Sequence, residues 1–450
     1  MSKELLFKTL RGEETERAPW VPFSGVHSGA LIGADATQVL TDEDVLVKSL
    51  LEVNKLYKPD GQPVVFDLQL EAEILGCDLV WAKDGPPSVA SHPLAETMSV
   101  PCDCKIPTEE SGRMPLVLSA MRRMKAEVGD TTALYGLITG PFTLASHLRG
   151  NDIFMDMYDD EDYVHDLLAF CVKVANKMSD MMIEAGMDII AVVDPLVSQI
   201  SAAHFEEFFH GSFAAVFENI NAKAYSSFFV CGDATRNIEV MCKTKPHSIS
   251  VDENVDIVAA KAITDQYNVV IGGNIPLTTV MLHGTQQDNM KCVVDMIGRV
   301  DSKKLFIVAP GCDMPYAVPV ENTIAVAQAV LDTENVAKMV ENYESATFDV
   351  DAVVLPEYDK LTKPFVEVFT LDSLTCAACT YMKGAADVAK ETYGDKIDMV
   401  EYKFTEKENI ARCIKMEVKN LPSIYINGQL KFASIIPSKE ELEAAINAVL

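Results

Sequence analysis

No stretch of the chain is apolar for long enough to cross a bilayer. The hydrophobic runs are short and interrupted, and none reaches the roughly 18 residues that a spanning helix needs. The first residues, Met1-Ser2-Lys3-Glu4-Leu5-Leu6, lack an apolar core and a cleavage site, so no export signal is read and the expectation is a cytoplasmic protein without a membrane partner. Basic residues are scarce: 38 Lys and Arg stand against 67 Asp and Glu, a formal charge of −29. No Lys/Arg run is longer than two. A nucleic-acid partner, which would need a basic face, is excluded on that ground. Also missing are a Gly-rich dinucleotide loop of the form GxGxxG and a phosphate-loop lysine, the usual marks of an open doubly wound sheet.

What the chain has is a soluble composition, 48% hydrophobic and 23% charged over 450 residues, enough for one large domain and one smaller. It also has eleven cysteines. Without an export signal these point to a reducing compartment, where cysteine is metal-binding, catalytic or simply packed. Cys77, Cys171, Cys242 and Cys292 sit in helical or apolar runs and read as packing residues. Cys102-Asp103-Cys104 is a weak metal signal in a loop.

Eight short β-branched runs alternate with helical stretches: Trp20–Gly25, Val64–Leu68, Thr132–Ile138, Asp188–Asp194, Ser226–Cys231, Ser248–Asp252, Asn268–Gly273 and Leu305–Ala309. Each is largely apolar, as in strands buried on both faces. The stretches Asp162–Ala185, Asp256–Asp265 and Glu321–Leu331 carry the helical period. Eight such alternations predict an α/β fold of the (β/α)8 TIM-barrel type over residues 1–345. Residues 346–363, with Pro356, read as a linker. Residues 364–450 predict a small second α/β domain of four strands, with Asn427-Gly428 as a hairpin turn.

The small domain carries Cys376-Ala377-Ala378-Cys379 between a strand and a helix. That placement puts Cys376 at a helix N-terminus, where unpaired N–H groups and the helix dipole favour a thiolate, and Cys379 one turn on can resolve a mixed disulfide. Residues 363–450 resemble the thioredoxin/glutaredoxin family, and the resemblance extends to Asn420-Leu421-Pro422-Ser423-Ile424-Tyr425. It implies a redox role for Cys376 and Cys379 and a cis peptide at Pro422. Thr375 stands where thioredoxins have tryptophan. The implied jobs are keeping thiols reduced or docking a partner.

A barrel's site lies at the C-terminal ends of its strands. Asp67, His147, Asp194, Cys231, Asp252-Glu253, Asn274 and Cys312 all fall there in the predicted order. Residues 1 to about 340 resemble the uroporphyrinogen decarboxylase superfamily. The resemblance is carried by Arg17-Ala18-Pro19-Trp20-Val21-Pro22, Phe66-Asp67, Gly140-Pro141-Phe142-Thr143-Leu144-Ala145 and Asp194-Pro195. Further matching segments are Val251-Asp252-Glu253-Asn254-Val255-Asp256, Gly272-Gly273-Asn274-Ile275 and Pro310-Gly311-Cys312-Asp313. True decarboxylases carry Arg-Gln-Ala-Gly-Arg after the first strand to hold the porphyrin carboxylates. This chain has Ser24-Gly25-Val26-His27-Ser28-Gly29, which disfavours that activity.

The other branch of the superfamily, the cobalamin-dependent methyltransferases such as the methylcobamide:coenzyme M methyltransferases, uses a zinc site. Its ligands are His-x-Cys after strand five and a cysteine after strand eight, with a glutamate after strand six in related methionine synthases. The resemblance therefore implies zinc on Cys231, Glu253 and Cys312. Asp252 is the second choice of carboxylate, Asp194 and His147 are further candidates, and Phe229 stands in the histidine position. It implies that zinc acts as a Lewis acid on a thiol or methyl ether, and that Asp67 and Asp194 orient substrate or protonate a leaving group. It also implies that methylcobalamin or another corrinoid arrives on a partner corrinoid protein, since no Asp-x-His-x-x-Gly motif is present, with a small-molecule methyl donor or acceptor. The alternatives are a redox or binding protein on a non-catalytic barrel and a porphyrinogen decarboxylase.

Overall fold

The computed structural model describes residues 1–345, 348–374 and 376–450, so Thr375 lies outside the described residues. By internal contacts the chain divides into two compact units. One comprises Met1–Val197 and Ser201–Ser345, and the other takes in Ala346–Leu450.

The first unit is built on a parallel sheet of seven strands in sequence order: Gly61–Pro63, Ala133–Thr139, Ile189–Val193, Tyr225–Val230, Ser248–Val251, Val270–Ile275 and Phe306–Pro310. The register pairs Tyr135 with Ile189, Ile189 with Tyr225, Ser248 with Val270, and Ile271 with Phe306. Trp20 supplies the eighth position. It bridges Val308 in parallel, with Val21 N donating to Val308 O at 3.0 Å, while Asp60 N donates to Trp20 O at 2.9 Å. The two sheet edges are thereby joined through one short segment, and the fold is TIM-barrel-like.

Two of the expected strands are displaced. The Trp20–Gly25 run pairs only around Trp20, because Pro19 and Pro22 have no N–H to give a ladder. The Val64–Leu68 run lies beyond its strand, which is Gly61–Pro63; Val64 N still donates to Tyr135 O at 3.1 Å. Gly61 and Pro63 carry poor strand propensity, and their pairing comes from the neighbouring strand.

Alternation within the strands explains their apolar runs. Tyr135, Leu137, Ile189, Ala191, Val193, Phe229, Ile307 and Ala309 form the barrel interior with Phe23 and Phe66. Their sequence neighbours face the helices and are buried as well: Phe228 lies 4.5 Å from the Phe213 ring and 5.3 Å from the Phe217 ring. The long helix Glu161–Glu184 begins where Asp160 accepts from Tyr163 N, and buries Val164, Leu167, Leu168, Cys171 and Val174 along one face. Among the described residues no helix is long and apolar enough to cross a membrane.

The second unit has a four-stranded sheet ordered Asp398–Lys403, Phe365–Thr370, Ser423–Ile426, Gln429–Ala433. The first pair is parallel and the others antiparallel. Asn427 and Gly428 both take positive φ, 49° and 73°, as a two-residue hairpin requires. Val366, Val368, Met382, Ile397, Ile424, Ile426, Leu442 and Ile446 make its core.

Candidate functional site

Cys231 follows the Tyr225–Val230 strand and Cys312 follows Phe306–Pro310, three strands away around the ring. Their chains turn inward over the mouth, and the two sulfurs are bonded to one another, with 5.7 Å between the α-carbons. Both residues are half-buried. The intervening loops are tied to the same point. Gly232 N donates to Asp252 Oδ2 at 2.9 Å, and Asn274 Nδ2 donates to the carbonyls of Asp252 and Val255 at 2.9 and 2.7 Å. Gly311 packs directly on Glu253: a β-carbon there would lie 2.8 Å from Glu253 N and 3.4 Å from Glu253 Cβ. The Glu253 carboxylate accepts from Leu277 N.

Electrostatics at this end of the barrel favour protonated carboxyls. Burial, and then the neighbouring Asp252 charge, push Glu253 up to about 8; burial also raises Asp252. Removing two adjacent carboxylates from water is costly unless a proton or a cation is present. Two cysteine thiolates and a carboxylate are a donor set that zinc takes, and the neighbour of Cys312, Gly311, packs against Glu253. Among the described residues no group of three or more His, Cys, Asp or Glu side chains is gathered to hold an ion. Phe229, two residues before Cys231, is fully buried, its ring 4.7 Å from Phe23 and 5.9 Å from Phe66. An apolar plug occupies the position beneath Cys231.

The predicted acid/base carboxylates have structural partners. Asp194 is fully buried and accepts from Phe142 N at 2.9 Å and from Thr143 Oγ1 at 2.6 Å. It thus caps the Pro141–Arg149 helix across the strand boundary, and burial raises it to about 7. Asp67 forms an ion pair with Arg113 at 2.6 Å. Arg113 also holds Glu73 at 2.7 Å and lies over the Trp81 ring at 5.0 Å. His147 is buried in the Pro141–Arg149 helix, its Nδ1 lacking a partner, and burial lowers it to about 3.

Sequence reasoning missed three residues at this end. Arg113 precedes a helix and belongs to no motif. Glu71 accepts from Thr139 N and Oγ1 at 3.1 and 2.8 Å and is raised by burial to about 7; in sequence it resembles any solvated helix acid. Asp313 is the third. Its Oδ1 has no partner, and its position beside Cys312 was the available signal.

In the second unit, Cys376 is the N-cap of the Ala377–Tyr393 helix, and its Sγ accepts from Cys379 N at 3.3 Å. Cys379 is buried, its Sγ accepting from Leu371 N at 3.3 Å. The two sulfurs are bonded, and the Leu421–Pro422 peptide is cis. Cys102 and Cys104 are bonded too. The five other cysteines are free. Burial pushes the thiols of Cys77, Cys242, Cys292 and Cys413 up to about 12 and raises Cys171 as well.

Against known proteins, residues 1–332 match the family model described as uroporphyrinogen decarboxylase (URO-D). The chain is 28% identical over 335 residues to a methylcobamide:CoM methyltransferase MtbA of Methanosarcina acetivorans, covering 71% of this chain and 94% of that protein. It is 25% identical over 340 residues to a methylcobamide:CoM methyltransferase MtaA of Methanosarcina barkeri, covering 73% and 96%. Among solved structures, a methyltransferase from Methanosarcina mazei superposes with a TM-score of 0.66 at 23% identity, over 74% of this chain and 98% of that one.

Proposed function

The chain belongs to the uroporphyrinogen decarboxylase family, and from that premise we propose that it is a methyltransferase moving a methyl group between a corrinoid, carried by a partner protein, and a small thiol. Relatives named as methylcobamide:CoM methyltransferases, matched over nearly their whole length, support the reaction class. The observation that carries the reading is the meeting of Cys231 and Cys312 past the strand ends, where Gly311 packs against Glu253. Once reduced, these three side chains would hold zinc. Bound there, zinc supplies Lewis acidity that keeps a thiol deprotonated at neutral pH.

The protein's own part in this reaction is positioning and charge. Glu253, held protonated by burial, would give up its proton on taking the cation. Asp252 fastens Gly232 and Asn254, at 2.9 and 3.0 Å, and so fixes the loop that carries Cys231. The Asp67–Arg113 pair holds the rim of the mouth as a neutral unit and orients a substrate by hydrogen bonds. A porphyrin with eight carboxylates would need arginines where Ser24–Gly29 stand, and His27, Ser28 and Gly29 there are buried.

The test is to mix the full chain, reduced and supplied with zinc, with a methylated corrinoid protein and candidate thiols, following the cobalt spectrum. Demethylation in the wild type, lost together with zinc in Cys231→Ala and Cys312→Ala, is the expected result. Full methyl transfer in both variants would overturn the reading. Phe229 favours one other reading, a redox or binding protein on a non-catalytic barrel. That reading predicts no zinc uptake by the reduced chain.

A further inference from the structure

Two segments of the first unit leave the C-terminal ends of neighbouring strands. Residues 64–113 follow Gly61–Pro63 and precede the returning helix Met114–Val128; residues 140–160 follow Ala133–Thr139 and precede the returning helix Glu161–Glu184. Both therefore lie at the end of the barrel where Cys231 and Cys312 meet. Arg149 knits them together. Its guanidinium donates to Asp156 Oδ2 at 2.7 Å and to Leu94 O at 3.1 Å, and Leu94 N donates to Leu148 O at 2.9 Å. On this joined rim stand exposed apolar side chains: Val80, Met98 and Val100 in the first segment, Met155 and Tyr158 in the second, with Tyr158 68% exposed. They are five of the ten large apolar side chains exposed among the described residues of the first unit, gathered in segments that make up far less than half of it.

The same segments are acidic. Residues 159–162 read Asp-Asp-Glu-Asp and are all exposed, as are Glu96, Asp103 and Asp152. Neither residues 92–104 nor residues 150–162 contain a lysine or arginine; Lys173, from the returning helix, pairs with Asp103 at 2.8 Å. Exposed apolar side chains rimmed by polar ones mark a protein contact surface, and tyrosine and methionine are enriched at the centres of such contacts. A second copy of this chain is a poor occupant, because it would set carboxylates against carboxylates. The chemistry at the mouth names a better one. A methyl group passes directly from a corrinoid only if the corrinoid sits over Cys231 and Cys312, so the protein that carries it must cover part of this rim.

We propose that the corrinoid-carrying partner docks on this rim, with Met98, Val100, Met155 and Tyr158 as the apolar centre of the contact. The carboxylates of residues 159–162 draw in a basic face that surrounds the partner's corrinoid, by the long-range attraction that speeds encounter between complementary charges. The identity of the partner rests on the methyltransferase reading above; the surface rests on exposure, charge and position. None of the four apolar side chains belongs to the group around Cys231, Glu253 and Cys312. Their loss should weaken capture of the partner and leave the transfer step itself intact.

The experiment uses the full chain, reduced and supplied with zinc, and offers the methyl group in two forms: on a methylated corrinoid protein and as free methylcobalamin, each with a small thiol. Tyr158→Ser, and separately Asp159→Lys combined with Asp162→Lys, should each raise KM for the corrinoid protein about tenfold with kcat little changed. The rate with free methylcobalamin should stay within about twofold of wild type, since the surface takes no part in the chemistry; that arm also shows the variants to be folded. Raising salt from about 50 to about 300 mM should slow the wild type with the corrinoid protein and spare the reaction with free methylcobalamin. Unchanged KM in both variants, beside an active wild type, would overturn the surface and leave the methyltransferase standing. Binding of the unmethylated corrinoid protein, measured by titration calorimetry, separates the reverse case. Binding that is lost in both variants, with no methyl transfer from either source, would keep the surface and remove the reaction. A wild-type dimer in sedimentation that Tyr158→Ser dissociates would give the patch to a second copy of the chain and overturn the proposal.

Discussion

The carboxylate of Asp313 occupies the space where a side chain on residue 25 would begin: a β-carbon on Gly25 would fall 2.0 Å from Asp313 Oδ1. Gly25 also has φ +33°, a conformation that side-chain-bearing residues adopt at a cost. The loop after the first barrel position and the loop carrying Cys312 therefore close on each other through an absent side chain. Gly25→Ala should lower stability by more than about 1 kcal/mol and displace Asp313. In an Asp313→Ala background the steric part disappears, so the two substitutions should be non-additive. Denaturant midpoints of the four proteins measure this, and strict additivity would contradict it.

A second expectation concerns the Asp67–Arg113 pair, whose side chains are 0% and 12% exposed. Arg113→Met leaves a carboxylate buried without its partner and should cost about 3–5 kcal/mol. Adding Asp67→Asn removes that charge and should restore part of the loss. If the double variant were no more stable than the single one, Glu73 rather than Asp67 would be the carboxylate that matters to Arg113.

Phe229 gives a third. Phe229→His opens volume in a packed aromatic cluster and should cost roughly 3 kcal/mol in the absence of metal. With reduced protein and zinc, the imidazole adds a ligand beneath Cys231, and thermal melting should recover by several degrees more than in wild type. Identical zinc-induced shifts in the two proteins would show that position 229 does not face the metal.

Acid lability follows from His27. Its ring accepts or donates at both nitrogens, 3.0 Å from Tyr316 O and 2.7 Å from Tyr57 Oη, and burial lowers it to about 4. A histidine depressed in the folded state stabilises fully above its unfolded value near 6.5, and the contribution is lost as pH falls toward the folded value. Between pH 6.5 and 4 the loss from His27 alone should be about 3 kcal/mol. His147, also depressed by burial, acts in the same direction. Unfolding free energies measured across that range should flatten in His27→Gln, and an unchanged slope would remove His27 as the cause.

Much of the architecture was legible because its signals are local. In the second unit the strands Phe365–Thr370, Asp398–Lys403, Ser423–Ile426 and Gln429–Ala433 lie where alternation and the Asn-Gly turn put them. The central barrel strands were legible for another reason: a strand buried on both faces is largely apolar. Around Trp20 and Gly61 the signal failed, since those segments pair by virtue of their neighbours while prolines and glycine dilute the pattern.

By itself, then, the sequence determined the alternation of strands and helices, and with it which residues stand at strand ends. Position along a strand depends only on the local period. Tertiary structure decided the partners. Cys231 and Cys312 are 81 residues apart, and only closure of the ring brings their sulfurs together. Arg113 reaches Asp67, and Asp313 settles over Gly25, for the same reason. Such contacts between distant loops follow from how the barrel curves, and no local period in the chain encodes that curvature.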